Sequence, residues 1–532
     1  MPDFRSAELD DTGEGWRGLL ADWPVMLAIA ALCFMSRYWL SSHFGLYEDD
    51  YFRIPIALTL SPREIPAAFI RQLINFHQGR PLHGGFVLLF AAIGARLHGL
   101  QGAYWIGYCL SVLNALLLFI LLRRAQAGRA ISIAAAAAFS VYPGDVSEVF
   151  LTHALGVQPS LALVLLAMHA WLSNHRVASW ALVFLAVFCY ETPVPIFAAA
   201  PLLAPQWNAR QLLRHISAMA FGLAGVGVFR KFFGEDRVAH LDLFHTAGMA
   251  VHNVSIGPLV SLSSYAWRPF EMASGFDATG VALGLLAALI GFALFARCDA
   301  PSTDQLIRLA AAGVAFLFLS YLLPVILNAG DRDGRASRVH YAASVGCSIL
   351  VACLVGLLMK HFGRFAAASA VALLLGTSTI AGVSVQRDYQ RSWDLQRSFW
   401  QEVVRLCPDL VTGKVVFVVG FRSLPEARHL RVFEWHMPLI LPQTYQFPHT
   451  QAPAPRLFIA EPDWRDHVAP DGSLALDKDT VVWPFFWELT QRLAQSDLIV
   501  LDAHSGQLVR EGAPGPVANL QPGILFQYLI RP

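Results

Sequence analysis

The chain has 532 residues, of which 55% are hydrophobic and only 14% charged, and its formal net charge is +1. Soluble domains carry about 25% charged residues, so this composition indicates a membrane protein. A net charge so close to zero gives no bulk electrostatic basis for binding nucleic acid. The seven cysteines show no metal-ligand spacing and most lie in apolar segments, so no disulfide framework is predicted.

Long apolar segments dominate the first 384 residues. Because a spanning helix needs roughly 20 apolar residues, we predict an all-α polytopic bundle of about eleven transmembrane helices over 23–384, after a cytoplasmic N-terminal segment, 1–22. The predicted spans lie near 23–42, 103–122, 129–142, 154–172, 177–190, 194–206, 212–233, 279–297, 306–327, 340–359 and 363–384. Two further apolar stretches, 82–97 and 247–266, are ambiguous.

The charges of the short loops predict the orientation, since Lys and Arg concentrate on the cytoplasmic side. The short loops that are rich in Lys and Arg all lie on the cytoplasmic side only if 82–97 and 247–266 are re-entrant or interfacial helices that do not cross the membrane. The N-terminus is then cytoplasmic, and the loops 142–153, 234–278 and 328–339 lie on the outer face. We therefore expect a multi-pass protein of the bacterial inner (plasma) membrane.

The composition changes at about residue 385, where an amphipathic helix, 385–401, is predicted to leave the membrane. Short runs typical of β-strands follow at Val415–Val419, Leu457–Ala460 and Leu498–Leu501, separated by Pro-rich loops. They predict a small C-terminal α/β domain, 385–532, on the extracytoplasmic side.

Three consecutive carboxylates, Glu48, Asp49 and Asp50, follow the first apolar segment. They could form a solvated turn, hold a divalent cation through oxygen ligands, or supply a general base. A carboxylate partly shielded from water has a raised pKa and can take a proton from a hydroxyl, and a neighbouring acid raises it further. We expect Asp49 to be the base, Asp50 to assist it and Glu48 to be solvated.

A second acidic group, Asp145 and Glu148 followed by His153, opens another outer loop and is interpreted either as a polar cap or as part of the same site.

Glu191 interrupts an apolar run just before Pro193. A carboxylate at membrane depth is costly and functional by default, although a structural hydrogen bond between spans is the alternative.

The expected cationic partner is the loop that contains Arg332, Arg335 and Arg338. Arginine binds phosphate in fork geometry, although neutralisation of nearby aspartates is the alternative role. Arg338, nearest the next helix, is predicted to be the functional one, with Arg80 as a second candidate. The outer-loop histidines His77, His83, His153, His240, His245 and His252 lack metal-ligand spacing and are expected to be mostly interfacial.

The order of these motifs resembles that of the GT-C superfamily of membrane glycosyltransferases. It is similar above all to the protein O-mannosyltransferase-like branch, which includes the transmembrane tetratricopeptide O-mannosyltransferases and their bacterial relatives. The resemblance covers about residues 20–385. It rests on the acidic pair after the first span, Gly79-Arg80-Pro81-Leu82, His98-Gly99-Leu100, Tyr142-Pro143 with Glu148, Tyr190-Glu191 and Ser337-Arg338-Val339-His340-Tyr341.

The resemblance implies a polytopic helical bundle whose catalytic loops face away from the cytoplasm. By position, Asp49 matches the proposed catalytic base of the family and Asp50 its neighbour, while Glu148 matches the acid of the second outer loop. Glu191 matches the Glu of a Lys-Glu or Tyr-Glu pair, and Arg338 with His340 and Tyr341 matches the late Arg-x-x-Tyr pattern. No tetratricopeptide array follows the bundle, and the C-terminal domain has no counterpart in the resemblance.

The resemblance also implies an inverting transfer of a hexose or pentose from a polyprenyl-phosphate carrier to a glycan, lipid or protein acceptor. We expect Asp49, Asp50 and Glu148 to be catalytic. The expected donor-binding residues are Arg80, Asp145, His153, Glu191, Arg338, His340 and Tyr341. The lipid bilayer is the other expected partner, and the sequence neither requires nor excludes a divalent metal. Two hypotheses from other classes stay open, namely a transporter or flippase of the envelope polysaccharide pathway and a non-catalytic envelope assembly protein.

Overall fold

A computed structural model describes residues 22–74, 79–232, 235, 242–324, 327–448, 450, 452–482 and 492–531. The described chain is mostly helical, with a small sheet region near its C-terminal end. Of the expectations above, those for residues 1–21, His77 and His240 lie outside the described residues.

The helices occupy most of the first 406 residues. They are α1 (Trp23–Cys33), α2 (Asp50–Thr59), α3 (Glu64–Ile74), α4 (Pro81–Arg124), α5 (Arg129–Ser140), α6 (Leu151–Gly156), α7 (Gln158–Leu172), α8 (Arg176–Cys189), α9 (Ala209–Phe232), α10 (Leu243–Glu271), α11 (Ala278–Phe295), α12 (Thr303–Leu319), α13 (Ala343–Leu406), α14 (Leu441–Thr444) and α15 (Phe526–Leu529). A π-helical turn, Phe34–Tyr38, extends α1, and the 3₁₀ segments Val194–Leu203 and Gly334–His340 connect longer helices.

Six helical segments among the described residues are long and apolar enough to cross a membrane. They are Trp23–His43, Pro81–Arg124, Leu151–Leu172, Ala209–Phe232, Ala278–Phe295 and Ala343–Leu406. Large apolar side chains such as Phe221 and Phe232 on α9 are almost fully exposed, which would be costly in water and suits lipid. These helices confirm the prediction of a helical membrane protein.

Two of the long helices contain sharp kinks. In α4 the chain turns at His98 and Gly99, and Gly99 has a φ of 57°, which favours glycine. The arms on either side then pack closely, because a Cβ atom at Gly94 or Gly102 would collide with the backbone of the other arm. The ambiguous stretch 82–97 is therefore the helical first arm of this hairpin. The second kink, in α13, is at Gly363.

The described C-terminal residues form the strands β1 (Val415–Val419), β2 (Tyr445–Gln446), β3 (Arg456–Ile459), β4 (Ser473–Ala475), β5 (Arg492–Ala494), β6 (Leu498–Asp502), β7 (Val509–Arg510) and β8 (Gln521–Pro522). Four of them form one sheet in the order β3-β1-β6-β7, while β2 pairs with β8 and β4 with β5. Strand β1 is parallel to β3 and β6 and buried throughout, which explains its continuous apolar run. The three predicted strand segments are confirmed.

The sheet domain and the bundle share one hydrophobic core. That core joins Tyr47 and Tyr51, near the first span, to Trp400 of α13 and to Val416 and Leu501 of the sheet. Helix α13 runs without interruption through residue 385, so the predicted domain boundary falls inside it. The C-terminal domain therefore packs directly against the loop that contains the three carboxylates.

Candidate functional site

Asp49 lies at the start of α2, in a tightly packed turn. Glu48 before it has a left-handed φ of 42°, and the Tyr47 backbone N–H donates to the Asp50 carboxylate at 3.2 Å. The Tyr47 ring stacks on Phe150. Because a helix N-terminus carries partial positive charge, this position favours an ionised carboxylate. The turn thereby fixes the direction in which Asp49 points.

Asp49 is bound by two guanidinium groups of the Gly334–His340 segment. Arg335 Nη1 donates to Asp49 Oδ1 at 2.9 Å, and Arg338 Nη1 donates to Oδ2 at 3.3 Å. Burial raises the pKa of Asp49, but Arg335 and then Arg338 lower it by more, so the carboxyl group has a pKa well below its usual range. The expectation of a raised pKa for Asp49 is therefore wrong, because the arginines were expected on the same face but not in contact with this acid.

His153 holds Arg338 from the other side. Arg338 Nη1 donates to His153 Nε2 at 3.0 Å, and guanidinium groups cannot accept a hydrogen bond. The proton of the imidazole is therefore assigned to Nδ1, which donates to the Ser147 carbonyl oxygen at 3.1 Å. In this arrangement His153 orients Arg338 toward Asp49.

Asp50 has a different role from the one expected. It is fully buried, and its oxygens accept from the Thr152 N–H at 2.8 Å, the Thr152 hydroxyl at 2.9 Å and the Leu151 N–H at 3.2 Å. Burial raises its pKa to about 7, although these hydrogen bonds oppose the rise. Asp50 thus satisfies the N–H groups that begin α6 and is turned away from Asp49.

Glu48 is not solvated, contrary to expectation. Its side chain is 2% exposed, and its carboxylate lies 3.6 Å from Arg335 Nε. Burial raises the pKa of Glu48 to about 8, and repulsion from Glu434 adds to the effect. Glu48 and Asp49 share Arg335, whereas Asp50 binds the start of α6. The described residues include no group of three His, Cys, Asp or Glu side chains placed to hold a metal ion. The alternative of a cation held by the three acids is therefore not supported.

Asp145 and Glu148 are both buried and act on opposite sides of their loop. Asp145 Oδ1 accepts from the Ser337 hydroxyl at 3.0 Å, which ties the loop to the arginine segment. Glu148 instead pairs with Arg37 of the first span at 2.5 Å. The proposed catalytic role of Glu148 has no support in these contacts, since Arg37 already holds its carboxylate in the interior.

Glu148→Ala is expected to destabilise the protein by about 3–5 kcal/mol, because it leaves Arg37 as an unpaired buried charge. Replacing the pair together, as Arg37→Met with Glu148→Leu, is expected to cost less than the single change. Unfolding by SDS titration in mixed micelles measures both. A Glu148→Ala midpoint equal to that of the wild type would contradict this assignment.

Two residues predicted independently, Arg80 and Glu191, form an ion pair. Arg80 Nε donates to Glu191 Oε2 at 2.8 Å, and its Nη2 contacts the other carboxylate oxygen. The Arg80 guanidinium also lies 4.2 Å from the centre of the Tyr190 ring. Arg230 of α9 approaches the same carboxylate at 3.7 Å. Glu191 is therefore neutralised by arginines at the point where its helix breaks.

Arg53 and His83 link this pair to Asp49, and the sequence analysis missed Arg53. Arg53 Nη1 lies 3.2 Å from His83 Nδ1, and its Nε is buried without a hydrogen-bond partner among the described residues. Burial lowers the pKa of Arg53, the nearby carboxylate of Asp49 opposes this, and the guanidinium of Arg80 lowers the pKa further. Arg53 could have been predicted from its position four residues after Asp49, because side chains at that spacing on a helix are neighbours.

His340 and Tyr341 lie apart from the carboxylate. The imidazole of His340 is fully buried, with Nδ1 2.7 Å from the Tyr321 hydroxyl and Nε2 3.0 Å from the Asp331 carbonyl oxygen. The hydroxyl of Tyr341 accepts from Asn114 at 3.2 Å inside the bundle. Both residues anchor the arginine segment, and neither is open to a donor substrate in this structure.

The C-terminal domain contacts the helix that follows Asp49 and one of the arginine partners of Asp49. The imidazole of His436 stacks on Tyr51 with a centroid distance of 5.0 Å, and both of its nitrogens are buried without a hydrogen-bond partner among the described residues. The Arg335 guanidinium lies 5.6 Å from the Trp435 ring. The site is thus built from both domains, which the sequence did not indicate.

Comparison of the chain with protein-family models, with curated proteins and with solved structures gives no match.

Proposed function

We propose that the protein is an inverting GT-C-type glycosyltransferase that moves a sugar from a polyprenyl-phosphate carrier to an acceptor on the extracytoplasmic side of the membrane. The observation that carries the proposal is the ionised Asp49 between Arg335 and Arg338, with Arg53 and Arg80 nearby. A carboxylate within a group of arginines supplies the base and the anion-binding charge that such a transfer needs.

The transfer needs one proton acceptor and one stabilised leaving group. The acceptor hydroxyl oxygen forms a bond to the anomeric carbon, its proton passes to Asp49, and the bond from that carbon to the phosphate oxygen breaks. The electron pair leaves with the polyprenyl phosphate, whose negative charge the guanidinium groups of Arg338 and Arg80 stabilise. No general acid is required, because a phosphate is already a good anionic leaving group.

The low pKa of Asp49 fits a resting site in which no donor is bound. A donor phosphate would compete with Asp49 for Arg335 and Arg338, because both anions bind the same guanidinium donors. Loss of those contacts would raise the pKa of Asp49 while burial persists, and a higher pKa makes it a stronger base. Donor binding would therefore prepare the base for the acceptor.

The membrane arrangement proposed for this function follows the loop charges. About eleven spans, with α4 entering through its short first arm, place the N-terminus in the cytoplasm and Asp49 outside. The polyprenyl tail would lie along lipid-facing apolar helices such as α9, while its phosphate meets the arginines. A reaction whose donor is held in the bilayer explains why the site is built on a membrane bundle.

The two alternatives have less support. A coupling-ion site in a transporter needs a carboxylate that can exchange its cation, whereas Glu191 is held by Arg80 and Arg230. A purely structural outer domain would have no reason to place Trp435 and His436 over the carboxylate turn. Both features are accounted for if the two domains form one catalytic site.

Binding of farnesyl phosphate to the full-length protein in lipid nanodiscs tests the phosphate site. Arg338→Gln is expected to weaken binding by about tenfold to a hundredfold, since a charge-assisted hydrogen bond contributes about 1.5–3 kcal/mol. Arg465→Gln removes a solvent-exposed arginine paired with Glu511 and is the matched control, with unchanged binding expected. Equal binding by the wild type and Arg338→Gln would contradict the assignment.

A further inference from the structure

A groove separates α13 from the C-terminal domain, outside the Asp49 site. Its first part is a cavity of 550 Å³ and its second a cavity of 380 Å³, and the two share Leu395 and Ser398. The first volume lies within the range of about 300–1,000 Å³ that small-molecule sites occupy. The groove is therefore large enough for a ligand and extends along about five turns of one helix, from Ser384 to Glu402.

The first part of the groove is lined by polar side chains of α13. They are Ser384, Arg387, Asp388, Gln390, Arg391, Asp394 and Ser398. Most of them have a neighbour three or four positions away, which places them on one face of the helix. Both charges, an amide and hydroxyl groups occur within the same wall, so the surface offers donors and acceptors together and no excess of either charge.

Two of these side chains make no hydrogen bond within the described part of the chain. Arg387 pairs with Asp277 at 2.8 Å, but the side chains of Arg391 and Asp394 make no hydrogen bond with any described residue, and Arg391 acts on its neighbour Asp388 only by lowering the pKa of that carboxyl group. Arg391 and Asp394 are three residues apart and both exposed, so a guanidinium group and a carboxylate lie on the same face of the helix. The hydroxyl group of a sugar both donates and accepts, and therefore suits such a pair.

The second part of the groove is more apolar. Phe399 of α13 and Phe433 of the C-terminal domain line it, together with Leu424 and Pro425. A ligand that occupies the whole groove meets polar and charged side chains in the first part and apolar side chains in the second, a combination that the hydroxyl groups and C–H faces of a sugar fit. No strand contributes to the lining among the described residues, so an extended peptide would lack the backbone pairing that usually holds it.

One wall of the groove is joined to the arginine segment. His429 lines the first cavity, and its Nδ1 lies 2.8 Å from Asp333 Oδ1. The carbonyl oxygen of His429 also accepts from the Gly334 N–H at 2.8 Å. Gly334 begins the 3₁₀ segment whose arginines hold Asp49. A ligand in the groove would therefore lie against the element that positions the base.

We infer that this groove binds an oligosaccharide and that the oligosaccharide is the acceptor of the transfer. The inference rests on the proposed function, since only a glycosyltransferase needs an acceptor there. It assigns a role to the C-terminal domain, which would supply the outer wall of the acceptor site through Arg428, His429 and Phe433.

The test uses saturation-transfer NMR on the full-length protein in lipid nanodiscs, with a panel of neutral and acidic oligosaccharides as the probe. The wild type is expected to bind at least one member. Arg391→Ala and Asp394→Ala are expected to weaken that binding about tenfold or more, because each removes a charge-assisted contact. Both side chains are exposed, so neither change is expected to disturb folding. Arg492→Ala, which removes an exposed arginine of β5 outside the groove, is the matched control with unchanged binding.

Binding of farnesyl phosphate is measured on the same samples and separates the two claims. If farnesyl phosphate binds and no oligosaccharide does, or if the groove variants bind the oligosaccharide as the wild type does, the inference is overturned and the proposed function stands. Binding of a Ser/Thr-rich peptide in place of the oligosaccharides would also overturn it. If farnesyl phosphate fails to bind, the proposed function is overturned whatever the oligosaccharides do.

Discussion

Asp49→Asn is expected to lower kcat for sugar transfer by about 10²–10⁴-fold while the protein still inserts and folds. The amide keeps the size of the side chain but cannot take the proton of the acceptor hydroxyl. Asp49 is partly exposed, at 23%, and its two arginine partners have other contacts, Arg335 with Glu48 and Arg338 with His153. Removing the charge also removes the stabilisation that ionised Asp49 gives the fold at neutral pH, so kcat is compared per folded protein, and the loss of rate is expected to exceed the loss of folded fraction. Transfer rates with saturating donor and thermal unfolding of the same sample measure the two quantities.

Asp50→Asn is the matched control, since it makes the same change one residue later. It disturbs the hydrogen bonds that begin α6, where each unsatisfied group costs about 1–3 kcal/mol, so we expect a clear loss of stability. Its activity should fall only as far as the folded fraction does. Full transfer activity in Asp49→Asn would exclude Asp49 as the base, and a stable but inactive Asp50→Asn would give that role to Asp50.

Arg335→Gln is expected to make transfer strongly dependent on pH on the acid side. In the wild type the pKa of Asp49 is depressed, so the carboxylate stays ionised as the pH falls toward the usual range for aspartate, about 3.9. Without Arg335, burial and the remaining neighbours set a higher pKa. Transfer should then fall about tenfold or more between roughly pH 7 and pH 5, as Asp49 takes up a proton.

The sign of the effect on stability follows from the same shift. Because the pKa is lower in the folded than in the unfolded protein, ionised Asp49 stabilises the fold at neutral pH, and this contribution is lost as the pH falls through the folded pKa. Arg332→Gln is the control for the kinetic experiment, since Arg332 lies two residues before the Gly334–His340 segment and pairs with Glu271 at 2.9 Å. Superimposable pH profiles of kcat/KM for Arg335→Gln and the wild type would contradict the role given to Arg335.

The sequence predicted features that depend on local pattern. The apolar runs of β1, β3 and β6 are long, rich in β-branched and aromatic residues and bounded by Pro-rich loops, so the strands could be placed within a residue or two. The loop charges placed Asp49 and Arg338 on one face, and the structure brings them into contact. Arg80 and Glu191 were also both selected, although their pairing was not foreseen.

The errors concern contacts between distant parts of the chain. Asp50 was expected to assist catalysis because no residue close to it in the sequence indicates that its partner is Thr152, which lies far along the chain. Glu48 was expected to be solvated because its partner, Arg335, lies far along the chain. Glu148 was assigned to the site because its partner, Arg37, is hidden inside an apolar span. The sequence shows that a residue is charged. Whether its side chain is buried depends on which other segments of the chain pack over it.

Mass spectrometry of the envelope glycans from a strain that lacks the gene tests the central claim most directly. Complementation with the wild type and with Asp49→Asn, at matched protein levels in the membrane, provides the comparison. We predict that one glycan species loses a hexose or pentose in the deletion strain, that the wild type restores it and that Asp49→Asn does not. An unchanged glycan profile in the deletion strain, or full restoration by Asp49→Asn, would contradict the account.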